Sequence, residues 1–234
     1  MNKEDRHEQL LRFLLSFVTA NKQQLIASRL VERTRHITIV LEDIYHSQNA
    51  NAVLRSADCF GIQDVHVIEG RNEYDFNPRV VKGSLKWLDL HRYAHHQQNT
   101  EACLSRLKAN GYTIVATSPE SGSIPLQQLP IDRPLALMFG GEKNGLSDIA
   151  LRMADIKMHI PMYGFTESLN VSVSAAICLH DLTRRLRESP VNWMLSKEET
   201  EELRELWIRK VLKDPDGLEK RFRDENEASN SAHQ

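Results

Sequence analysis

The stretch LALMFGGEKNGLSDIALRMADIKMHI, Leu135–Ile160, passes from an apolar run through a glycine-rich loop and a helical pattern to a second apolar run. Leu135–Phe139 is uncharged and too brief for an ordinary helix, which suits a strand covered on both faces. Gly140-Gly141-Glu142-Lys143-Asn144-Gly145-Leu146 has the composition of a turn. Ser147–Ala154 then reads as a helix and Lys157–Ile160 as a strand. Strand, loop, helix and strand in that order make the repeating unit of a parallel sheet.

The same alternation extends outward. Strands are predicted at Thr38–Leu41, Val65–Glu69 and Thr113–Thr117, and helices at Asn51–Phe60 and Thr100–Asn110. The fold class is therefore α/β, a mainly parallel sheet flanked by helices, over residues 36–190. Residues 1–35 form a helical N-terminal extension, with Leu10, Leu11, Leu14, Leu15 and Val18 at helical spacing and a second short helix near Gln24–Glu32. Residues 191–234 form a charged, helical C-terminal extension, in which Asp224–Gln234 reads as a frayed tail.

Composition narrows the class. The 234 residues are 41% hydrophobic and 26% charged, which excludes a mainly disordered chain, a collagen and a small disulfide scaffold. No apolar run approaches the roughly 18 residues of a membrane span. The mixed charges of Lys3, Glu4, Asp5 and Arg6 do not suit a secretory signal. Cys59, Cys103 and Cys178 are widely spaced, as in a reducing cytoplasm. Cysteine and histidine do not fall at zinc spacings, so no metal is expected, and His95-His96 is an isolated pair. No G-x-G-x-x-G, P-loop lysine or G-x-S-x-G is present, which disfavours those two nucleotide sites and a hydrolase elbow.

In open parallel sheets, ligands sit beyond the carboxyl ends of the strands. Asn49, Arg55, Ser56 and Asp58 follow the first strand here, and Thr117, Ser118 and Glu120 the third. Gly140–Leu146 follows the fourth, and Ile160-Pro161-Met162 with Ser168-Leu169-Asn170 the fifth. Each has a purely structural use: Asn49 as a helix cap, Arg55 as the partner of Asp58 or Glu142, Ser168 or Asn170 as the cap of the helix that runs through Arg187. Their convergence on one sheet edge points instead to a site built from positioning groups, without an obvious nucleophile.

At these loops the chain resembles the TrmH (SpoU) family of RNA 2′-O-ribose methyltransferases, in the SPOUT superfamily. Three motifs carry the likeness, in order: Asn49 through Arg55-Ser56-Ala57; Phe139-Gly140-Gly141-Glu142-Lys143-Asn144-Gly145-Leu146; and Ile160-Pro161-Met162 followed by Ser168-Leu169-Asn170-Val171-Ser172-Val173-Ser174-Ala175. Gln48 and Glu167 stand where relatives often have His and Gln. The resemblance implies a C-terminal trefoil knot, which periodicity alone would not suggest, and a homodimer with the site completed across the interface. It implies S-adenosylmethionine as cofactor, bound near Thr117, Gly140, Ile160 and Leu169. It further implies catalytic roles for Arg55, Asn49, Glu142, Ser168 and Asn170, with Glu142 orienting Arg55 or Asn170. The resemblance gives Arg55 the role of base toward the ribose 2′-hydroxyl; because a guanidinium does not readily give up its proton, the alternative is that Arg55 binds the adjacent phosphate and stabilises the developing alkoxide.

The short extensions match the subgroup that methylates guanosine 18 in the tRNA D-loop, so tRNA is the expected partner. The alternatives are 2′-O-methylation of rRNA or of another tRNA position, and a non-catalytic RNA-binding assembly factor. The formal net charge of −2, taken whole, speaks against RNA, but it averages unlike regions. Residues 1–36 carry 7 Lys+Arg against 4 Asp+Glu, whereas residues 196–234 carry 8 against 11. Arg29, Arg33 and Arg35 are thus expected to track phosphates, with Lys82 and Lys86 a second candidate group beside Trp87.

Overall fold

The runs Ile37–Leu41 and Leu135–Phe139 are buried on both faces, and the chain stacks them with five further strands into one sheet. β1 (Ile37–Glu42), β2 (Asp64–Ile68), β3 (Asp89–Tyr93), β4 (Thr113–Thr117), the two-residue β5 (Ile124–Pro125), β6 (Leu135–Gly140) and β7 (Ile156–His159) lie in the order β3-β2-β1-β6-β4-β7-β5. Every pairing between them is parallel. In this computed structural model the described residues are 3–70, 83, 85–94, 98–120 and 122–231. They fall into two units, one of residues 33–194 and one built from both chain ends, up to residue 32 and from residue 195.

Alternation along the strands divides the core of the 33–194 unit into two layers. Ile37, Ile39 and Leu41 of β1 and Leu135, Leu137 and Phe139 of β6 face one way. There they meet α3 (Ser47–Cys59) and α6 (Val171–Glu188), which also pack against each other. Val40, Ala136 and Met138 face the other way, toward α4 (Asn99–Ala109) and α5 (Asp148–Met153). Along α6, Val171, Ala175, Cys178, Leu179, Leu182 and Leu186 recur at three- and four-residue steps and are all buried. The helix stops at Glu188, two residues before Pro190, as proline disfavours a helical residue ahead of it.

The second unit comprises α1 (Lys3–Ser16), α2 (Ala20–Leu30), α7 (Lys197–Val211) and α8 (Pro215–Ser231). α1 packs on α7 and α8, and α2 on α7, around Leu14, Ile26, Leu30, Leu203, Trp207 and Ile208. The two extensions therefore fold together rather than as separate appendages. Within the stretch 224–234, where the sequence suggests a frayed tail, α8 runs on to Ser231, and residues 232–234 lie outside the described ones. The turn that carries α8 past Asp224 is held by the buried Phe222, packed on Phe13, by an i,i+4 pair of Arg221 with Glu225 and by a bond from the Asn226 carboxamide to the Phe222 carbonyl. Among the described residues no helix is long and apolar enough to cross a membrane.

Candidate active site

β1, β6, β4 and β7 are neighbours, so the loops that leave their carboxyl ends must meet. The loop after β6 is folded tightly onto its own strand. A Cβ on Gly140 would lie 2.1 Å from the Gly145 carbonyl carbon and 2.3 Å from the Leu146 nitrogen, so only glycine fits. Gly145 sits at φ +65° and its N–H donates to the Gly141 carbonyl at 2.8 Å, which closes the turn. Ser147 then caps α5 through its hydroxyl. The buried Glu42, at the end of β1, accepts from the Ser147 N–H and hydroxyl at 2.8 Å each and from the Thr100 hydroxyl at 2.6 Å. Sequence reasoning missed Glu42, whose only signal was a carboxylate ending an apolar strand.

Between this loop and the segment after β7 lies a cavity of 530 Å³. Thr117, Gly140, Ile160 and Leu169, the four residues expected at a cofactor, all line it, as do Glu142, Ser168 and Asn170. The Thr117 hydroxyl is engaged, donating to the Met138 carbonyl at 2.7 Å. A mixed apolar and polar cleft with close backbone and few fixed polar groups is the usual form of a small-molecule site.

A chain of side-chain hydrogen bonds crosses the cavity's edge. Asn170 caps α6, its Oδ1 accepting from the Ser172 N–H at 2.8 Å and the Ser172 hydroxyl at 2.6 Å. Its Nδ2 donates to Asn49 Oδ1 at 3.1 Å, and Asn49 Nδ2 donates to Glu142 Oε1 at 2.5 Å. The Tyr45 N–H donates to the other carboxylate oxygen at 3.1 Å. Burial alone would raise the pKa of Glu142, but the Asn49 amide and the N–H groups of Glu142, Tyr45 and His46 outweigh it and hold it below the ordinary range. Glu142 is therefore an ionised acceptor that sets orientation, not an acid or base at neutral pH.

Glu142 reaches Asn170 only through Asn49, and it does not bond Arg55. Arg55 lies six residues after Asn49, about 120° round α3. It is exposed, lies outside the cavity lining, and forms no ion pair among the described residues. Asp58, one of its expected partners, is taken by Arg33.

That pairing corrects part of the RNA expectation. Arg33 is only 5% exposed, bound to Asp58 and to the Ile62 carbonyl at 3.1 Å, which leaves no face for a phosphate. Arg35 is engaged by Asp64 at 2.8 Å and Asp89 at 2.9 Å. Arg29 is exposed in the last turn of α2, and Lys86 is exposed with its ammonium 5.4 Å from the Trp87 ring centroid. Lys82 lies outside the described residues.

Comparison with known proteins accords with this geometry. Residues 36–180 match the model of the SpoU rRNA Methylase family. A tRNA (guanosine(18)-2′-O)-methyltransferase of Borreliella burgdorferi is 44% identical over 200 residues, which span 86% of this chain and 90% of that one. The crystal structure of the TrmH/SpoU tRNA modifying enzyme of Aquifex aeolicus superposes with a TM-score of 0.73 at 26% identity, covering 82% of this chain and 98% of that one. The SpoU methyltransferase AviRb of Streptomyces viridochromogenes, solved with AdoMet, gives 0.57 at 25% identity, covering 69% and 62%. With more than half its length matched by one family model, the chain belongs to the SpoU rRNA Methylase family.

Proposed function

We propose that this protein methylates the ribose 2′-hydroxyl of guanosine 18 in tRNA, with S-adenosylmethionine as donor. The observation that carries the reading is the cavity between the β6 and β7 loops, edged by Glu142, Asn49 and Asn170, in a chain 44% identical to a relative named for that reaction. The cofactor supplies an electrophilic methyl group on a sulfonium. Residues present fit such a group: Gly140, Gly141 and Gly145 line the cavity without side chains to fill it, and Thr117, Gly140, Ile160 and Leu169 would hold it. Ser168 and the Asn49–Asn170 pair would then fix the ribose, so that much of the rate comes from alignment. Arg55 would bind the neighbouring phosphate and stabilise the alkoxide as it forms.

The reading extends to a homodimer. Val173 and Ile177 of α6 are exposed at 45% and 38%, and with Phe60 they line a groove between α3 and α6. Ala52 lines the same groove one helical turn before Arg55, so a second copy seated there would have Arg55 at its border. A trefoil knot in the C-terminal part of the sheet domain and a cytoplasmic setting belong to the same reading, the latter supported by three free cysteines. Within the chain-end unit, Arg29 is the retained candidate for tRNA contact.

Purified protein incubated with unmodified tRNA and tritiated S-adenosylmethionine should label guanosine 18, located by the nuclease resistance of its 3′ linkage. A methyl mapped to rRNA or to another tRNA nucleotide would replace the substrate and keep the chemistry. No Arg55-dependent incorporation into any RNA would end the enzymatic reading.

A further inference from the structure

The loop from Ile160 to Asn170 divides its labour. Met162, Glu167 and Ser168 line the cavity, but the two aromatic side chains between them do not. Tyr163 and Phe165 are 98% and 108% exposed, whereas no other large hydrophobic side chain among the described residues exceeds 60%. Two unpacked rings at the mouth of a reaction cavity are not surface noise, because a folded chain ordinarily buries such area. Gly164 separates them, and a Cβ there would meet nothing within 4 Å, so the loop tip stands in open solvent. Next to Glu142, which lines the cavity and accepts from the Tyr45 backbone N–H, the Lys143 ammonium sits 4.5 Å from the centroid of the half-exposed Tyr45 ring.

We propose that Tyr163 and Phe165 form a stacking platform for the nucleobases next to the nucleotide being methylated. The proposal rests on the RNA 2′-O-methylation reading and adds the residues that hold the loop of the RNA open. A ribose hydroxyl reaches a recessed cavity only if its nucleotide leaves the stack, and the adjoining bases then lose a neighbour. Exposed rings replace that neighbour, and they accept any base because every base has a flat face. Lys143, one residue from the cavity-lining Glu142 and held over the Tyr45 ring, supplies a positive charge beside the cavity, as a phosphate backbone requires. A second protein copy is the rival occupant. Its natural seat, however, is the aliphatic groove of Val173 and Ile177, whereas the two rings alternate with Gly164, Thr166 and Glu167 and offer no continuous apolar face.

The test compares Tyr163→Ala, Phe165→Ala and the double variant with Tyr163→Phe and Phe165→Trp. The RNA is a tRNA transcript carrying 2-aminopurine beside guanosine 18. Each alanine should raise the Kd for tRNA roughly tenfold, and the double variant should abolish the quenching of 2-aminopurine seen on binding. The aromatic replacements should stay within about twofold of wild type. The slope of log Kd against log salt, the calorimetric Kd for S-adenosylmethionine and the sedimentation coefficient should all be unchanged, because no phosphate contact, cofactor contact or interface has been removed. Unaltered tRNA binding by the double variant would overturn the proposal. So would a change in oligomeric state, which would assign the rings to a second copy, or a parallel loss of cofactor binding, which would assign them to the cavity wall. Failure of the underlying reading is separable, since it appears with wild-type protein as absence of methyl transfer to tRNA.

Discussion

Two chains of hydrogen-bonded polar side chains run through the 33–194 unit, and they are built on opposite principles. One joins Asp89, Arg35, Asp64 and His91, with His66 stacked on His91 at 4.5 Å between ring centroids. The other joins Glu142, Asn49, Asn170 and Ser172. The first consists of charged or chargeable groups, and its members pair with one another: Asp64 accepts from both Arg35 and His91. Burial pushes the Asp64 pKa up, but the bond from His91 and the charge of Arg35 bring it below the usual carboxylate range. The second is mostly neutral amides, lies in solvent at the edge of the cavity, and contains one carboxylate. The closed set pairs its charges with one another, while two members of the open set, Glu142 and Asn170, line the cavity.

The largest effect should come from breaking the closed set. Asp64→Ala leaves the guanidinium of Arg35 and the ring of His91 without their shared acceptor, at a cost of about 3–5 kcal/mol. In a unit of this size that is a fall in Tm of roughly 10 °C, read by scanning calorimetry. Cofactor affinity measured well below the lowered Tm should not move. If affinity fell while Tm held, the separation between the two chains would be wrong.

The converse substitution is Arg55→Ala. An exposed guanidinium without an ion pair among the described residues adds little to stability, so Tm should shift by less than about 1 °C. Single-turnover methyl transfer should fall by about 10²–10³-fold, the usual loss for a preorganised donor to a developing oxyanion. Arg55→Lys should restore little of it, since an ammonium lacks the planar fork that grips phosphate.

His66 sharpens the comparison through pH. Burial, then the neighbouring His91, lowers its pKa from 6.5 to about 4, while Asp64 pulls the other way. The unfolded chain therefore binds a proton that the folded chain refuses. The contribution of neutral His66 is present in full above pH 6.5 and is lost as the pH falls toward about 4. Between pH 7 and pH 5 that loss is about 2 kcal/mol. Urea unfolding of His66→Gln should show an acid limb flatter by this amount, whatever its stability at pH 7. An unchanged limb would mean that another group carries the acid sensitivity.

The same pair of chains explains what was legible in the residues alone. Strands β1, β4 and β6 announce themselves because both faces meet helices, so TIVL, TIVA and LALM have no polar partner to find. β3 stayed hidden because its half-buried Asp89 and His91 stand opposite Asp64 and His66 of β2, so its sequence DLHRY carries no apolar run. The arginines failed for a related reason. Arg29, Arg33 and Arg35 look alike in a basic run, and only the fold shows that acidic residues 25 and 29 positions away, Asp58 and Asp64, claim two of them. The site was legible where residues are forced by backbone, as at Gly140. The bond from Asn49 to Glu142, 93 positions apart, left no local trace.

The smallest effect tests the direction of the open chain. Every donor in it points the same way, from the first turn of α6 through Asn170 and Asn49 to Glu142. The two ends fix that sense, because the Ser172 N–H can only donate and an ionised carboxylate can only accept. Glu142→Gln disturbs it with almost no change of shape. The new amide must present an –NH₂ either to the Tyr45 N–H or to Asn49 Nδ2, and both are donors. Rotating the Asn49 amide moves the conflict to Asn170, which cannot turn without losing its cap on Ser172. A modest misalignment follows, with kcat about tenfold lower and Tm and cofactor affinity unchanged. Since Glu142 is held below the usual carboxylate range, the loss should be uniform above about pH 5. A loss that grew or vanished across neutral pH would make Glu142 a proton carrier rather than the fixed end of an oriented chain.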